Sequence, residues 1–397
     1  MENFYRRERI YRSEIGESHL ISEITPDRVT LRKEYHPLTF ETHSDGVHET
    51  PFKEIYAVPF YEANNIDNFI SETISPETIS IEDFAKKIFQ ILSDIIEKTW
   101  EPEKFHVLMH SSGYDSRLLS LIIKSLHEKN GDDWLGEFVM IESDGEGQEA
   151  RDCLRVEGWE DERMLIYNEG TEPSEYHEYS LSFKNAWERV NVISGWPVNN
   201  WYFPVDYFQK EKVLPENVQC YTGYGQNETS RAILTTKFTH RVPMEILTHY
   251  RGKHHIAHYF WWHYYHTLAS FPLKGDWVHP FYNFDYLREF IRYGGKFQKL
   301  FNKERWSITK IILDQLYPDC AKIPRIHDAK ERGYRNISKR LYEQIKEDYF
   351  DSWYGRNRPD VVTTDVMEFP FNDWWGHWAL ASYCEHLLNT GHEVVNE

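Results

Sequence analysis

The sequence predicts an α/β fold: a parallel sheet flanked by helices, with a small β-rich lead-in and a mostly helical C-terminal half. Three observations predict it. Between about 105 and 228, short apolar runs alternate with amphipathic helical patterns. Before about 75, short β-like pieces alternate with turn residues, and beyond about 240 the pattern is largely helical. Strand–helix alternation of this kind is what a parallel sheet covered by helices requires.

Taken in order, Asp27–Tyr35, His36–His43 and Glu54–Glu62 are the β-like pieces of the lead-in, which is assigned to residues 1–75. The stretch after Ser75 opens a helix. Ser80 is the expected N-cap, with Glu82 and Asp83 in the first turn, and Phe84, Ile88, Ile91, Leu92, Ile95 and Ile96 recur at helical spacing. Residues 105–109 then form a buried strand, Arg117–Glu128 a helix, 137–143 a second strand, and a second helix ends near Gly158. Strands are also expected at 163–169 and from 218, the latter running into a Gly-rich turn by 228, with a helical region around 174–195 between them. The chain therefore divides into 1–75 and one larger domain, 76–397, itself an α/β part (76–235) and a helical part (236–397).

Composition narrows the function. The chain has 397 residues, 40% hydrophobic and 27% charged, with a net charge of −19. Wrapping nucleic acid needs a basic face that neutralises phosphates, so this charge argues against a nucleic-acid partner. The aromatic content of 16% suits cores and ligand clefts. The four cysteines, Cys153, Cys220, Cys320 and Cys384, form no C-x-x-C pair, which points away from zinc ribbons and disulfides and towards a reducing compartment. No apolar signal core opens the chain, and no stretch reaches the about 18 apolar residues of a membrane span. A cytoplasmic protein with no membrane partner is the expectation.

The most informative stretch is His106–Ser120, HVLMHSSGYDSRLLS, in which a short strand meets Ser111-Ser112-Gly113-Tyr114-Asp115-Ser116 and a helix follows at once. In open α/β sheets ligands sit beyond the carboxyl ends of strands, where the next helix offers N–H groups and the positive end of its dipole to an anion. Hydroxyls and a glycine suit phosphate. Asp115 would repel phosphate unless a cation such as Mg²⁺ lies between them, so the set suits a metal-bound pyrophosphate. Ordinary Ser/Asp capping of a helix is the competing explanation.

This loop resembles the Ser-Gly-Gly-x-Asp-Ser loop of the N-type ATP pyrophosphatases (PP-loop family), with Ser112 in place of the first glycine. Further pieces resemble, in collinear order over residues 80–390, the synthetase domain of asparagine synthetases and β-lactam synthetases. They are Glu149-Ala150-Arg151, Gly223-Tyr224-Gly225-Gln226-Asn227-Glu228, Pro280-Phe281-Tyr282-Asn283, the Lys310-containing helix Ile308–Leu313, and Tyr317-Pro318. The resemblance implies an adenine nucleotide α-hydrolase-like PP-loop fold and an AMP-forming carbon–nitrogen ligase using ATP and Mg²⁺. A carboxylate would attack the α-phosphate of ATP, and an amine or ammonia would then displace AMP from the acyl-adenylate. By resemblance, Ser111, Ser112, Gly113, Asp115, Ser116, Thr222 and Gly223 would bind ATP and its pyrophosphate. Asp115, Asn227 and Glu228 would serve the metal.

Where the sequence departs from that family, it does so at the acyl-transfer end. Asn227 stands where the family has a second metal-binding Asp, and Tyr224 stands where asparagine synthetases carry a Glu. β-Lactam synthetases use a Tyr as the base that deprotonates the attacking amine, which makes Tyr224 the candidate base. A phenol titrating near 10 needs a neighbouring charged group to act so, and Asp276 is the candidate. For the cation that meets developing charge, Lys330 is favoured over Lys322, Arg325 and His327. The chain begins Met1-Glu2-Asn3 with no Cys before Cys153, so no N-terminal glutaminase is expected, and ammonia, an amine substrate or a separate ammonia-supplying or substrate-presenting partner would provide the nucleophile. A ring-closing cyclase, a nucleic-acid base modifier sharing the loop, and a degenerate nucleotide binder are the alternatives. His254 and His258 stand one helical turn apart but lack an H-E-x-x-H partner, and the C-terminal run with Trp374 and Trp378 reads as a packing helix.

Overall fold

The computed structural model describes residues 11–18, 21–32, 48–57, 79–142, 147–167, 183–185, 187, 202–223, 226, 276–294, 297, 307–323, 347–358 and 372–397. In chain order, the lead-in carries β1 (Tyr11–Arg12), β2 (Glu17–Ser18), β3 (Arg28–Leu31), β4 (His48–Glu49) and β5 (Tyr56–Ala57). Helix α1 (Ile81–Thr99) follows. Then come β6 (Phe105–Met109), α2 (Tyr114–Asn130), α3 (Asp132–Leu135), β7 (Phe138–Glu142), α4 (Gly147–Val156), β8 (Met164–Ile166), α5 (Tyr202–Lys210) and β9 (Val218–Thr222). The remainder is β10 (Asp276–Val278), α6 (Phe284–Gly294), α7 (Ile308–Leu316), α8 (Pro318–Lys322), α9 (Trp353–Asn357), α10 (Asn372–Asn389) and β11 (Glu393–Asn396).

Local chemistry explains the elements that matter. Ser80 caps α1 by accepting the Asp83 N–H at 3.0 Å. Phe84, Ile88, Leu92, Ile95 and Ile96, spaced by helical turns, bury one stripe of that helix in the main core. The strand residues Val107–Met109, Met140–Ile141 and Cys220–Tyr221 are buried continuously rather than alternately, as expected of parallel strands covered on both faces.

The main sheet is five-stranded and parallel, in the order β10-β9-β6-β7-β8. From β6 the chain runs outwards to β7 and β8, then returns to place β9 on the other flank of β6. Strand order therefore reverses between β6 and β9, and in open α/β sheets ligands bind at the carboxyl side of such a reversal. Met109 lies opposite Thr222 in register, so the loops leaving both strands start side by side. β10, one of the two edge strands, comes from beyond residue 236, so the sheet takes a strand from the stretch expected to be mostly helical.

A second core joins the two ends of the chain. β11 pairs in parallel with β3, Val394 opposite Val29. Phe52 packs edge-on against Tyr383 of α10 at 5.8 Å between ring centroids, and Tyr383 Oη lies 2.7 Å from Thr25 Oγ1. Trp378, Leu380, Ala381, Tyr383, Cys384 and Leu387 are buried on α10, as a packing helix requires. The lead-in, whose β1, β2, β4 and β5 form a four-stranded antiparallel sheet, is thus packed against the C-terminal helix. No helix among the described residues is long and apolar enough to cross a membrane.

Candidate functional site

The loop Ser111–Gly113 leaves the carboxyl end of β6 and enters α2. The hydroxyls of Ser111 and Ser116 bond within this segment. Ser116 Oγ accepts the Ser111 N–H at 3.1 Å and lies 3.0 and 3.1 Å from the Ser111 and Gly113 carbonyls, while Ser111 Oγ accepts the Gly113 N–H at 3.1 Å. The N-cap of α2 is Gly113, and no side chain caps it. The Ser/Asp-capped helix start that competes with an anion site is therefore not what the loop builds. The dipole end of a 17-residue helix is left to the backbone.

The loop after β9 meets this one. Thr222 is buried at the strand end, and Gly223 follows. A Cβ on Gly223 would lie 2.8 Å from the Ser116 nitrogen, 3.0 Å from the Asp115 carbonyl carbon and 3.1 Å from Asp115 Cβ. These are backbone and near-backbone atoms that cannot step aside, so close approach of the two loops needs a glycine here.

A third element, α7, reaches the same place. Thr309, fully buried near the start of α7, donates its hydroxyl to Asp115 Oδ1 at 2.7 Å, and Ser307 Oγ stands 2.6 Å from the Thr309 hydroxyl while capping the helix through the Lys310 N–H. Tyr114 lies under two cations, the Arg117 guanidinium 5.3 Å and the Lys310 ammonium 5.9 Å from its ring centroid. Arg117 is fully buried. Its guanidinium donates to the carbonyls of Cys320 at 2.7 Å, Ile323 at 2.9 Å and Ser112, so one side chain ties the loop to α8. Behind the loop, His110 Nε2 lies 3.1 Å from Glu157 Oε2, which also accepts the Ser120 hydroxyl at 2.5 Å. Trp159 in turn donates to Ser120 at 3.0 Å.

From the adjacent flank, Tyr286 on the first turn of α6 is fully buried. Burial, together with the negative charge of Asp115, holds its phenol well above the ordinary tyrosine range. It is a neutral O–H at any working pH.

The structure brings Ser111, Ser112, Gly113, Asp115, Ser116, Thr222 and Gly223 to one carboxyl edge. Asp276 is not among them. It opens β10 opposite Gln219, at the amino end of the sheet, where its carboxylate lies 3.3 Å from Lys104 Nζ and 3.4 Å from Gln219 Nε2. Strand direction separates it from the Gly223 loop, which corrects the pairing expected from its nearness to Pro280 in sequence. Tyr224, Asn227, Glu228 and Lys330 lie outside the described residues, as do His254 and His258. Thr309, Arg117 and Tyr286 were not foreseen. The Ser307-x-Thr309 start of α7 was the available signal for the first; the other two depend on partners far away in the chain.

Searches of the sequence against protein-family models and against curated proteins find no match.

One feature fits a phosphate chain, the start of α2 without a side-chain cap, and Gly223 lets the loop after β9 approach it closely. Asp115 supplies one carboxylate for a cation, and no cluster of three or more His, Cys, Asp or Glu suited to a metal occurs among the described residues. A metal held here would therefore need oxygens from the ligand and from the run after Gly223.

Proposed function

We propose that the chain is an ATP-dependent, AMP- and pyrophosphate-forming amide ligase with a PP-loop fold, similar in kind to asparagine synthetases but without glutaminase activity. The observation that carries this reading is the meeting of the Ser111–Ser116 loop with Gly223 at the strand-order reversal between β6 and β9. Two sequence motifs 107 residues apart, Asp115–Ser116 and Thr222–Gly223, meet in close contact on the carboxyl edge, where open α/β sheets bind their ligands.

The chemistry follows from what a carboxylate lacks. It has no good leaving group, and attack of its oxygen on the α-phosphate of ATP breaks the α–β bond, releases pyrophosphate and leaves an acyl-adenylate. Attack of an amine or ammonia on the acyl carbon then forms the amide, releases AMP and gives up one proton. The loop hydroxyls, the Gly113 and Gly223 backbones and the start of α2 hold the departing pyrophosphate. Asp115, fixed by Thr309, together with Asn227 and Glu228, would hold Mg²⁺, which when bound offsets the charge of the phosphates. Small-molecule carboxylates and amines are the substrate class.

Tyr224 between the two glycines favours a second reading, in which amine and carboxylate belong to one molecule and the product is a ring. Incubation with Mg-ATP and a panel of carboxylates, amines and amino acids, following AMP and pyrophosphate, tests the reaction. Release of both that depends on the carboxylate supports the ligase, and the product mass separates condensation of two molecules from loss of water within one. ADP and phosphate as the products would reject the proposal.

A further inference from the structure

Two enclosed polar side chains at the carboxyl edge have no hydrogen-bond partner among the described residues. The hydroxyl of Tyr286 meets no acceptor, and neither amide atom of Gln226 is bonded, although both residues are fully buried. Folded chains rarely leave such groups unmade, because they have given up water for nothing in return. Where they do, a ligand that completes the bonding is a direct explanation.

Position favours a ligand for both. Gln226 lies four residues beyond Thr222, in the run that leaves β9, and Tyr286 lies on the first turn of α6, beyond the carboxyl end of the neighbouring strand β10. The Tyr286 ring cannot swing away, since Phe281 packs edge-on to it at 5.4 Å and Phe290 lies 5.7 Å off on the same helix. Asp115, whose charge acts on this phenol, accepts the Thr309 hydroxyl at Oδ1. A buried phenol on this edge, unbonded among the described residues, would be completed by a ligand seated at the loop. A phenol hydroxyl donates a hydrogen bond, so the group that completes it is an acceptor.

We infer that the Tyr286 hydroxyl donates to a non-bridging oxygen of the ligand's pyrophosphate chain beside Asp115, and so distinguishes polyphosphates from nucleoside monophosphates. This rests on the pyrophosphate reading of the Ser111–Ser116 loop and assigns that site a specificity determinant. It makes Tyr286 a ligand-binding donor, with no part as a base.

The test is Tyr286→Phe, which keeps the packed ring and removes only the hydroxyl. Wild type and variant are titrated calorimetrically with Mg-pyrophosphate, Mg-ATP and AMP, and their thermal unfolding is compared. The Kd for pyrophosphate and ATP should rise about tenfold, the size of one lost hydrogen bond to a charged acceptor, while that for AMP stays unchanged. The variant should unfold no earlier than wild type, since the hydroxyl has no partner among the described residues. Unchanged pyrophosphate and ATP affinity in a wild-type background that binds both would overturn the assignment of Tyr286 alone. So would equal losses for AMP, or a fall in unfolding temperature with the selectivity intact. A wild-type protein that binds neither pyrophosphate nor ATP would overturn the loop reading itself.

Discussion

Gly223 and Ser116 are in contact through backbone, with room between them for a hydrogen but not for a methyl group: a Cβ on Gly223 would come within 2.8 Å of the Ser116 nitrogen. Gly223→Ala should therefore push the two loops apart. Overpacking against atoms that cannot relax costs about 1–3 kcal/mol, and chemical denaturation should show a loss in that range. Affinity for Mg-pyrophosphate should fall by about tenfold or more, since the shift falls on the backbone proposed to hold the phosphates. An Ala variant with wild-type affinity would mean that this contact does not shape the site.

Thr309 ties α7 to Asp115 by a buried hydroxyl–carboxylate bond. Thr309→Val removes the donor with little change of shape and should cost about 1–2 kcal/mol in stability. Mg²⁺-dependent pyrophosphate binding should weaken roughly fivefold, because the carboxylate loses the group that orients it. Thr309→Ser keeps the hydroxyl and should retain the binding. Equal behaviour of Val and Ser would show that the bond to Asp115 is without consequence.

Arg117 holds three backbone carbonyls in a fully buried position. Arg117→Met leaves those carbonyls without their charged donor and should destabilise the fold by at least about 3 kcal/mol, read as a shift of the denaturation midpoint. Arg117→Lys should recover only part of this, since a single ammonium cannot span the positions reached by a forked guanidinium.

Acid sensitivity should arise at the opposite end of β6. His106 Nε2–H donates to the Glu101 carbonyl at 2.9 Å, the ring stacks on Trp100 at 3.8 Å, and burial pushes its pKa down from 6.5 to about 4. The unfolded chain takes up this proton near pH 6.5, the folded one only near pH 4. Stability from this group is thus intact above pH 6.5 and is lost as the pH falls through that window, by at most about 3 kcal/mol. His106→Gln keeps an N–H donor and does not titrate. Its denaturation midpoint should fall less steeply between pH 6.5 and 4 than that of wild type.

Local features of the fold are legible in the residues themselves. Ser80 and its acidic first turn announce α1, the apolar run Val107–Met109 announces β6, and Gly113 marks the junction with α2. Pairing between distant segments leaves no such trace. Asp276 looks close to the Gly223 loop when counted from Pro280, but parallel pairing of β10 with β9 sets it against Gln219 at the far edge. Arg117 reads as one more helical arginine, because its acceptors Cys320 and Ile323 lie more than 200 residues away. The parallel pairing of β11 with β3, four residues each, closes the two ends of the chain on one another and depends on tertiary packing that no local pattern encodes.

The account turns on whether the Asp115–Gly223 edge binds a magnesium-bound pyrophosphate, and calorimetric titration with pyrophosphate, with and without Mg²⁺, tests this without knowledge of the carboxylate or the amine. Wild type should bind in a Mg²⁺-dependent manner. Asp115→Asn, which keeps an oxygen for Thr309 but loses the charge, should lower that affinity by about tenfold or more and remain folded by circular dichroism. Binding of equal strength in wild type and Asp115→Asn, or no binding by a folded wild-type protein, would contradict it.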